Sequence, residues 1–484
     1  MVLVKYIKRV SLLALTCLLT TQAFAGDGTL LGGDPMGGEV QPPSELEKPL
    51  SGRLMQDLEI FRSMNHPDVV LGSKKVVDQR KYRIFSDETT PVTLWPKLVR
   101  ETSLRKPSSG EKKECLHKQG GLKIGGWVQQ GINFSQYNPA DGWNATATLA
   151  DRANDYQLNQ LWLYMDKQAN NGGHGLAWGG HIDACYGTDS RYGKMYGFED
   201  RFDSEDNYYA LCFPQMYLDL QINRLTIRGG HFASILDYES VPAPANAFYT
   251  HSVSYLVNPP LMTGLRADYK VGRFWTLTAG FETGFMEFEN SNSSYDLVTG
   301  IRCDLTKDTV LRWASIYGRQ GEANQADIYV HSIVWEQQVT SRLKNVLVHD
   351  LGDMRTLSGP RFQWYGLVDY IEYKTRAATP LWINLRAEWF HDDDGMAVKG
   401  IASQPYGRTS TPGWDGMGFA GDFYNVSLGL KWAPLPCLLV RPELRYDWYE
   451  GAGGLVGGAP VAGPFNAGQN KDQFLFAMDT VLLF

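Results

Sequence analysis

A period-two alternation of side-chain polarity runs through the chain from Gly121 to the C-terminus. In 381–390 one set of alternate positions is apolar and the other is largely polar: Leu381, Ile383, Leu385, Ala387 and Trp389 against Trp382, Asn384, Arg386, Glu388 and Phe390. Because successive side chains of a β-strand point to opposite faces, each such segment predicts a strand with two chemically different faces. Residues typical of turns separate the segments, so the pattern predicts a large antiparallel sheet.

The length and ends of these segments favour strands that cross a membrane. Each segment is about ten to fourteen residues long, and many end at Trp or Tyr, which resembles the interfacial girdles of outer-membrane barrels. The mean hydropathy of −0.30 fits, since only alternate residues of a barrel strand face lipid. We expect an all-β fold, a transmembrane antiparallel up-and-down β-barrel of about sixteen strands. A secreted soluble β-protein is the alternative.

The C-terminus is the most specific single feature. Alternate positions there are apolar and end on an aromatic residue: Phe474, Phe476, Met478, Leu482 and Phe484. A last strand that ends on an aromatic residue is typical of chains folded by the outer-membrane assembly machinery. Phe476, Met478, Leu482 and Phe484 are therefore predicted to form the assembly signal, against the alternative of an ordinary terminal strand.

The N-terminus has the features of a secretory signal peptide. Lys5, Lys8 and Arg9 precede an apolar run over 10–19, and Ala23–Phe24–Ala25 offers a cleavage site. The apolar run is too short to span a bilayer as a helix. We assign 1–25 to the signal peptide. The formal net charge is −7 and becomes more negative after cleavage, which argues against a nucleic-acid partner.

Residues 26–120 differ in composition from everything that follows. Gly and Pro are frequent up to Pro43, and four leucines with a four-residue spacing indicate a short helix within 44–64: Leu46, Leu50, Leu54 and Leu58. We expect an N-terminal periplasmic segment that is partly disordered or contains this short helix. An oligomerising or envelope-anchoring helix is the alternative. The barrel is then expected to occupy 121–484.

The barrel region resembles a known family. The segments that carry the resemblance are GWVQQGINFSQYNPADGWN from Gly126, NDYQLNQLWLYMD from Asn154 and GGHIDACYGTD from Gly179. A longer one, RLTIRGGHFASILDYESVPAPANAFYTHSVSYLVNPPLMTGLRADYKVG, begins at Arg224. Together they resemble the β-barrel porin family described as OmpL-like. The resemblance implies an outer-membrane barrel with a porin function, and it implies no catalytic residues.

The connection from Ala233 to Pro260 is the richest in functional side chains. It is long, contains four prolines and is aromatic enough to argue against disorder. One interpretation is a pore-constriction loop folded into the lumen, and the other is an external cap over the rim. The candidate constriction residues are Asp237, Tyr238, Glu239, Tyr249 and His251.

Charged residues on the strands are predicted to line the pore, because a charge facing lipid would be costly. By parity the lumen-facing set is Arg266, Asp268, Glu282, Arg302, Asp304, Arg312, Arg386, Glu388, Arg441, Glu443, Arg445 and Asp447. Both signs occur close together, which favours a transverse field across a wet channel over a strongly selective ring. Ion pairs that only brace a plugged barrel are the alternative.

Enzymatic chemistry is not indicated. The histidines have no accompanying nucleophile motif of the G-x-S-x-G type, so we expect no catalytic residues. The aspartates at 392–394 fit a solvated loop better than a metal site, and no cofactor is expected. Cys185 and Cys212 lie near the loop ends of consecutive strands, so we predict that they are close and form a candidate disulfide.

The sequence therefore predicts an outer-membrane porin for passive diffusion of small hydrophilic solutes. Its expected partners are outer-membrane lipid, the barrel assembly machinery and the solutes, and a homo-oligomer stays open. The alternative function is a plugged or structural outer-membrane barrel that anchors the envelope or binds a ligand.

Overall fold

The structure, a computed structural model, describes residues 117–119, 121–203, 208–320, 326–357, 359–398, 418–456 and 459–484. The predicted signal peptide and the helix within 44–64 lie outside these residues. Within them, strand pairing begins at His117, slightly before the expected boundary at Gly121.

Sixteen long antiparallel strands form a closed barrel, as the sequence predicts. They are β2 (Leu122–Ser135), β3 (Tyr156–Lys167), β4 (Leu176–Gly187), β6 (Met216–Ile222), β7 (Leu225–Ala233), β8 (Leu261–Val271), β9 (Trp275–Glu282), β10 (Asp296–Thr306), β11 (Thr309–Gln320), β12 (Ala326–Gln338), β13 (Leu343–Thr356), β14 (Arg361–Lys374), β15 (Leu381–Asp392), β16 (Gly421–Leu435), β17 (Leu438–Gly451) and β20 (Asp472–Leu483).

The shorter elements lie at the two rims. β1 (His117–Gln119) pairs with the start of β2, and β5 (Ala210–Cys212) pairs with the end of β4. β18 (Gly454–Val456) and β19 (Ala459–Val461) form a separate hairpin. The α-helix α1 spans Val253–Val257, and 3₁₀ turns span Thr188–Tyr192, Glu199–Arg201 and Ala243–Ala245. No helix in the described ranges is long and apolar enough to span a membrane.

The barrel closes between its first and last long strands. β2 pairs with β20 from Trp127 opposite Leu483 to Ser135 opposite Leu475. Beyond this register, Gly126 and Phe484 exchange two backbone hydrogen bonds, of 2.9 and 3.0 Å. The sheet therefore has no free edge at the seam, which is what a membrane barrel requires.

The connections differ in length at the two rims. At the short-turn rim, two residues suffice between β6 and β7, where Asn223 adopts a positive φ of 52° that suits Asn in a tight hairpin. At the long-loop rim, connections such as 136–155 and 234–260 are much longer. Outer-membrane barrels have short periplasmic turns and long external loops, which orients the two rims.

The two faces of the wall follow the predicted parity. Large apolar side chains are exposed on the outer face, among them the predicted assembly residues Phe476, Met478, Leu482 and Phe484. The twelve predicted lumen-facing charges all lie on inner-face positions.

Candidate functional site

The connection 234–260 between β7 and β8, the inner loop, folds into the barrel. Its side chains contact inner-face residues of several strands, as when the Tyr249 hydroxyl donates to Asn159 Oδ1 at 2.8 Å. Thr250 donates from its backbone nitrogen and from its hydroxyl to the Glu443 carboxylate, at 3.0 and 2.6 Å. The structure thus places this segment in the lumen and not over the rim.

The inner loop reaches almost the full depth of the barrel. Near the short-turn ends of β13 and β14, the Tyr238 hydroxyl accepts from Lys344 Nζ at 2.8 Å and donates to Glu372 Oε1 at 2.9 Å. Lys431, near the same end of β16, donates to the carbonyls of Pro244 and Asn246, each at 3.0 Å. The inner loop therefore begins at the long-loop rim and extends to a point close to the short-turn rim.

Arg386 on β15 is the centre of the docking contacts. Its guanidinium donates to Glu239 Oε1 at 3.0 Å, to the Thr250 carbonyl at 2.8 Å and to the Thr250 hydroxyl at 2.9 Å. Burial alone would raise the pKa of Glu239, but Arg386 and the backbone of Ser252 outweigh it, and the pKa lies below its usual value. Glu239 and Arg386 therefore form a charged pair at neutral pH.

Two further arginines tie the inner loop to the wall. Arg441 donates to the carbonyls of Ala243 and Asn246, at 2.8 and 3.1 Å, and also pairs with Asp479 on β20. Arg445 donates to the His251 carbonyl at 2.6 Å and pairs with Asp447 on its own strand. Each guanidinium thus satisfies one wall carboxylate and one or two loop carbonyls.

The wall carboxylates bind the inner loop through its backbone. Glu388 on β15 accepts from the backbone nitrogens of Val253 at 2.9 Å and Ser254 at 2.7 Å, where α1 begins. Ser252 caps this helix by accepting from the backbone nitrogen of Tyr255 at 3.1 Å. Charge-assisted bonds of this kind are stronger than neutral ones, so they fix the position of α1 against β14 and β15.

Glycines of the wall leave room for the inner loop. A Cβ added to Gly131 on β2 would lie 2.7 Å from the Tyr249 ring, and one added to Gly429 on β16 would lie 2.9 Å from Phe248. These inner-face glycines let aromatic side chains lie against the sheet backbone. They were missed at the sequence level because a glycine fits either face of an alternating strand.

Asp237 and His251 contact the backbone of the inner loop itself. Asp237 accepts from the backbone nitrogens of Tyr238 and Glu239, and it faces Asp350 on β13. His251 Nε2 lies 3.1 Å from the Ser240 carbonyl, and burial lowers its pKa to about 4. At neutral pH this imidazole is therefore uncharged.

The wall formed by β6–β12, the bare wall, carries charges that pair mostly with one another, and its Glu336 also pairs with Lys344 on β13 at 2.8 Å. Arg228 pairs with Asp219 at 2.8 Å, Arg266 with Asp268 at 3.2 Å, and Arg312 with Glu336 at 2.8 Å. Arg302 pairs with Asp304 at 2.6 Å. The Asp304 side chain is 38% exposed and lies toward the short-turn rim, so part of this wall is open to water.

The half of the lumen near the long-loop rim is filled with apolar side chains. Inner-face residues of β11, β12 and β15 pack there with residues of the loops: Ile316, Ile328, Val330 and Phe390 with Trp143, Phe285, Met396 and Phe465. A buried ion pair accompanies them, with Arg191 on Asp151 at 2.9 Å. Glu282 lies at this end of β9, opposite Asp296, and away from the exposed charges of the bare wall.

The strand register brings Cys185 of β4 directly opposite Cys212 of β5. Both are buried free thiols, so the expected proximity occurs and the candidate disulfide is not formed. Among the described residues, no group of three or more His, Cys, Asp or Glu side chains could hold a metal ion.

The barrel region is also the part of the chain that is similar to known proteins. The model of the family described as "Putative beta-barrel porin-2, OmpL-like" matches residues 121–484. No curated protein matches the sequence at a significant level.

Similar solved structures are outer-membrane proteins. OmpT of Vibrio cholerae is 11% identical with a TM-score of 0.47, over 75% of this chain and 99% of that one. The anion-selective porin from Comamonas acidovorans is 9% identical, with a TM-score of 0.47 and coverages of 75% and 99%. The channel DcaP of Acinetobacter baumannii is 11% identical, with a TM-score of 0.46 and coverages of 76% and 99%.

Proposed function

Since the chain belongs to this OmpL-like porin family of the bacterial outer membrane, we propose that it passes small hydrophilic solutes by passive diffusion between the inner loop and the bare wall. The observation that carries the proposal is the difference in exposure between the charges under the inner loop and the acids at the short-turn end of the bare wall. Arg386, Glu443 and Arg445 are almost completely buried against the inner loop. Asp304 and Glu336 on the other side stay 38% and 21% exposed.

The inner loop is then the element that sets the size limit. It occupies lumen volume over nearly the whole depth and is held by charged pairs that are shielded from water. A loop fixed in this way forms a permanent constriction, and it does not have to move each time that a solute passes. The opposed charges of Arg302 and Asp304, or Arg312 and Glu336, provide polar contacts for solutes that have lost part of their water shell.

Conductance of the purified protein in planar bilayers tests the proposal. We expect stable open steps that scale with salt concentration, and liposome swelling that falls as the size of an added sugar increases. The full-length folded protein is used for both measurements. A barrel that is electrically silent at all voltages and also impermeable to the smallest sugar would overturn the proposal.

A plugged barrel is the second candidate function, and one observation favours it. The apolar side chains packed between Trp143, Phe285 and the inner faces of β11 and β12 fill the lumen near the long-loop rim. If this packing closes the path, the intact protein is silent and a variant with a shortened connection at 136–155 conducts. If the diffusion proposal holds, the intact protein already conducts.

A further inference from the structure

A band of polar side chains crosses the outer face of β10–β14, where neighbouring positions are apolar. Its members are Thr299, Ser315, Tyr329, His331, Asn345, His349 and Asp369. All have odd numbers, and the even-numbered neighbours on these strands, such as Val330, Val348 and Val368, belong to the buried interior. Strand parity therefore puts the whole band on the outside of the barrel.

The band is connected by hydrogen bonds from strand to strand. Thr299 and Ser315 are cross-strand partners whose hydroxyl oxygens lie 2.8 Å apart. Ser315 is directly opposite His331, whose Nδ1 lies 3.2 Å from the Tyr329 hydroxyl.

The second part of the band lies on β13 and β14. His331 Nε2 is 3.4 Å from His349 Nδ1, and the two imidazole rings stack with centroids 5.4 Å apart. The Asn345 amide donates to the Asp369 carboxylate across β13 and β14. The band thus combines imidazoles and a carboxylate on one surface.

Other sectors of the barrel show what a lipid-facing surface of this chain looks like. The outer face of β16 presents Tyr424, Val426, Leu428, Leu430 and Trp432. That of β9 presents Trp275, Leu277, Ala279 and Phe281. Against this background, Asp369 and His349 lie near the middle of their strands, at the depth where lipid offers no hydrogen bonds.

We propose that the polar band of β10–β14 is buried in the membrane against a second copy of this chain. Two features of the band favour a second copy as the occupant. A second copy lies in the same bilayer at the same depth, so its own band meets this one. The band also carries both donors and acceptors, and a self-complementary surface is what contact between two identical faces requires. His349 of one copy then lies within reach of Asp369 of the other.

Photo-crosslinking in intact outer membranes tests the contact. A photo-crosslinking residue replaces His349, and the matched control replaces Leu277, which is exposed on the outer face of β9. We expect a product with the mass of two chains from the position of His349 and lipid adducts alone from that of Leu277. Lipid adducts alone at both positions, or attachment of a different protein at His349, would overturn the proposal.

A substitution gives an independent measurement. Asp369→Arg replaces the carboxylate that accepts from His349 across the contact by a guanidinium, which can only donate, so we expect the protein extracted in mild detergent to change from two or more chains per particle to one. Leu277→Asn is the control and should leave the particle size unchanged. The mobility shift on heating reports whether each barrel is folded. A folded Asp369→Arg variant of unchanged particle size would contradict the proposed contact.

Discussion

The two sides of the lumen use the same residue types for different purposes. On the covered wall, formed by β14–β17, β20 and β3, each inner-face arginine binds a wall acid and the inner loop, as Arg386 binds Glu443 and Glu239. On the bare wall, Arg302 binds Asp304 two residues along the same strand. The charge pattern in the sequence is similar, so the difference comes from what each wall faces. Charges hold the inner loop on one side, and on the other they are the ones that we propose line the solute path.

Replacing Arg386 gives the sharpest test of this difference. Arg386→Met leaves Glu239 and Glu443 buried without their cation, which typically costs about 3–5 kcal/mol. The matched change on the bare wall, Arg302→Met, leaves a partner that water can reach, and surface pairs contribute about 0–1 kcal/mol. Unfolding midpoints in urea, read from the heat-dependent gel mobility, compare the two. Equal losses would show that the two walls do not differ.

Shortening the inner loop tests whether the segment bound to the covered wall limits the conductance. Replacing 242–253 by a short Gly-Ser linker removes the segment that Arg441, Arg445 and Glu388 hold. We expect several-fold higher conductance and passage of larger sugars, because lumen cross-section is freed. Unchanged current in a variant that still shows the folded mobility would mean that the inner loop does not limit the path.

Asp350 differs from the acids that pair with Arg386 around the inner loop. It forms no ion pair with a described residue, its polar neighbours being Ser332 and Asn258, and it faces the acidic Asp237. Asp350→Asn removes this repulsion, so we expect the free energy of unfolding to rise by about 1–2 kcal/mol. Asp447→Asn is the control, since Asp447 pairs with Arg445 and its loss should destabilise the barrel. A lower midpoint for Asp350→Asn would point to a partner for this carboxylate.

Ion selectivity should depend on the bare wall alone. Neutralising Asp304 and Glu336 together should shift the permeability ratio toward anions by about two-fold, because Arg302 and Arg312 then lack their counter-charges. The paired control, Asp237→Asn with Glu239→Gln, removes the same number of charges from the inner loop. Reversal potentials in a salt gradient compare them. A larger shift from the loop variant would place the selective charges on the inner loop.

The architecture of the barrel was predictable from local pattern, and the docking of the inner loop was not. Period-two alternation fixes the face of each residue within its own strand, so the inward position of Arg441 and Asp304 follows without knowledge of the partners. The partners depend on contacts between distant segments. Nothing in the sequence around Asp237 indicates that Asp350 lies opposite it, or that Arg386 takes Glu239.

The apolar filling near the long-loop rim shows the same limit. Ile316, Ile328 and Val330 occupy inner-face positions. In the sequence, an apolar residue at such a position looks like an irregularity in the alternation of a lipid-facing strand. The signal that could have revealed the filling is apolar character on both faces of β11 and β12. Similarly, parity alone placed Glu282 with the pore charges, and the structure shows it fully buried opposite Asp296.

The seam between Gly126 and Phe484 has a consequence for the order of folding. β2 cannot pair with β20 until the segment that ends at Phe484 is available, and the two bonds join residues near the two ends of the barrel sequence. The inner loop depends on the same event, because Thr250 binds Glu443 across 193 residues. Such distant contacts make folding slow. The open sheet must therefore be protected from aggregation until β20 has joined it, and Arg441 meets Asp479 only when that strand pairs.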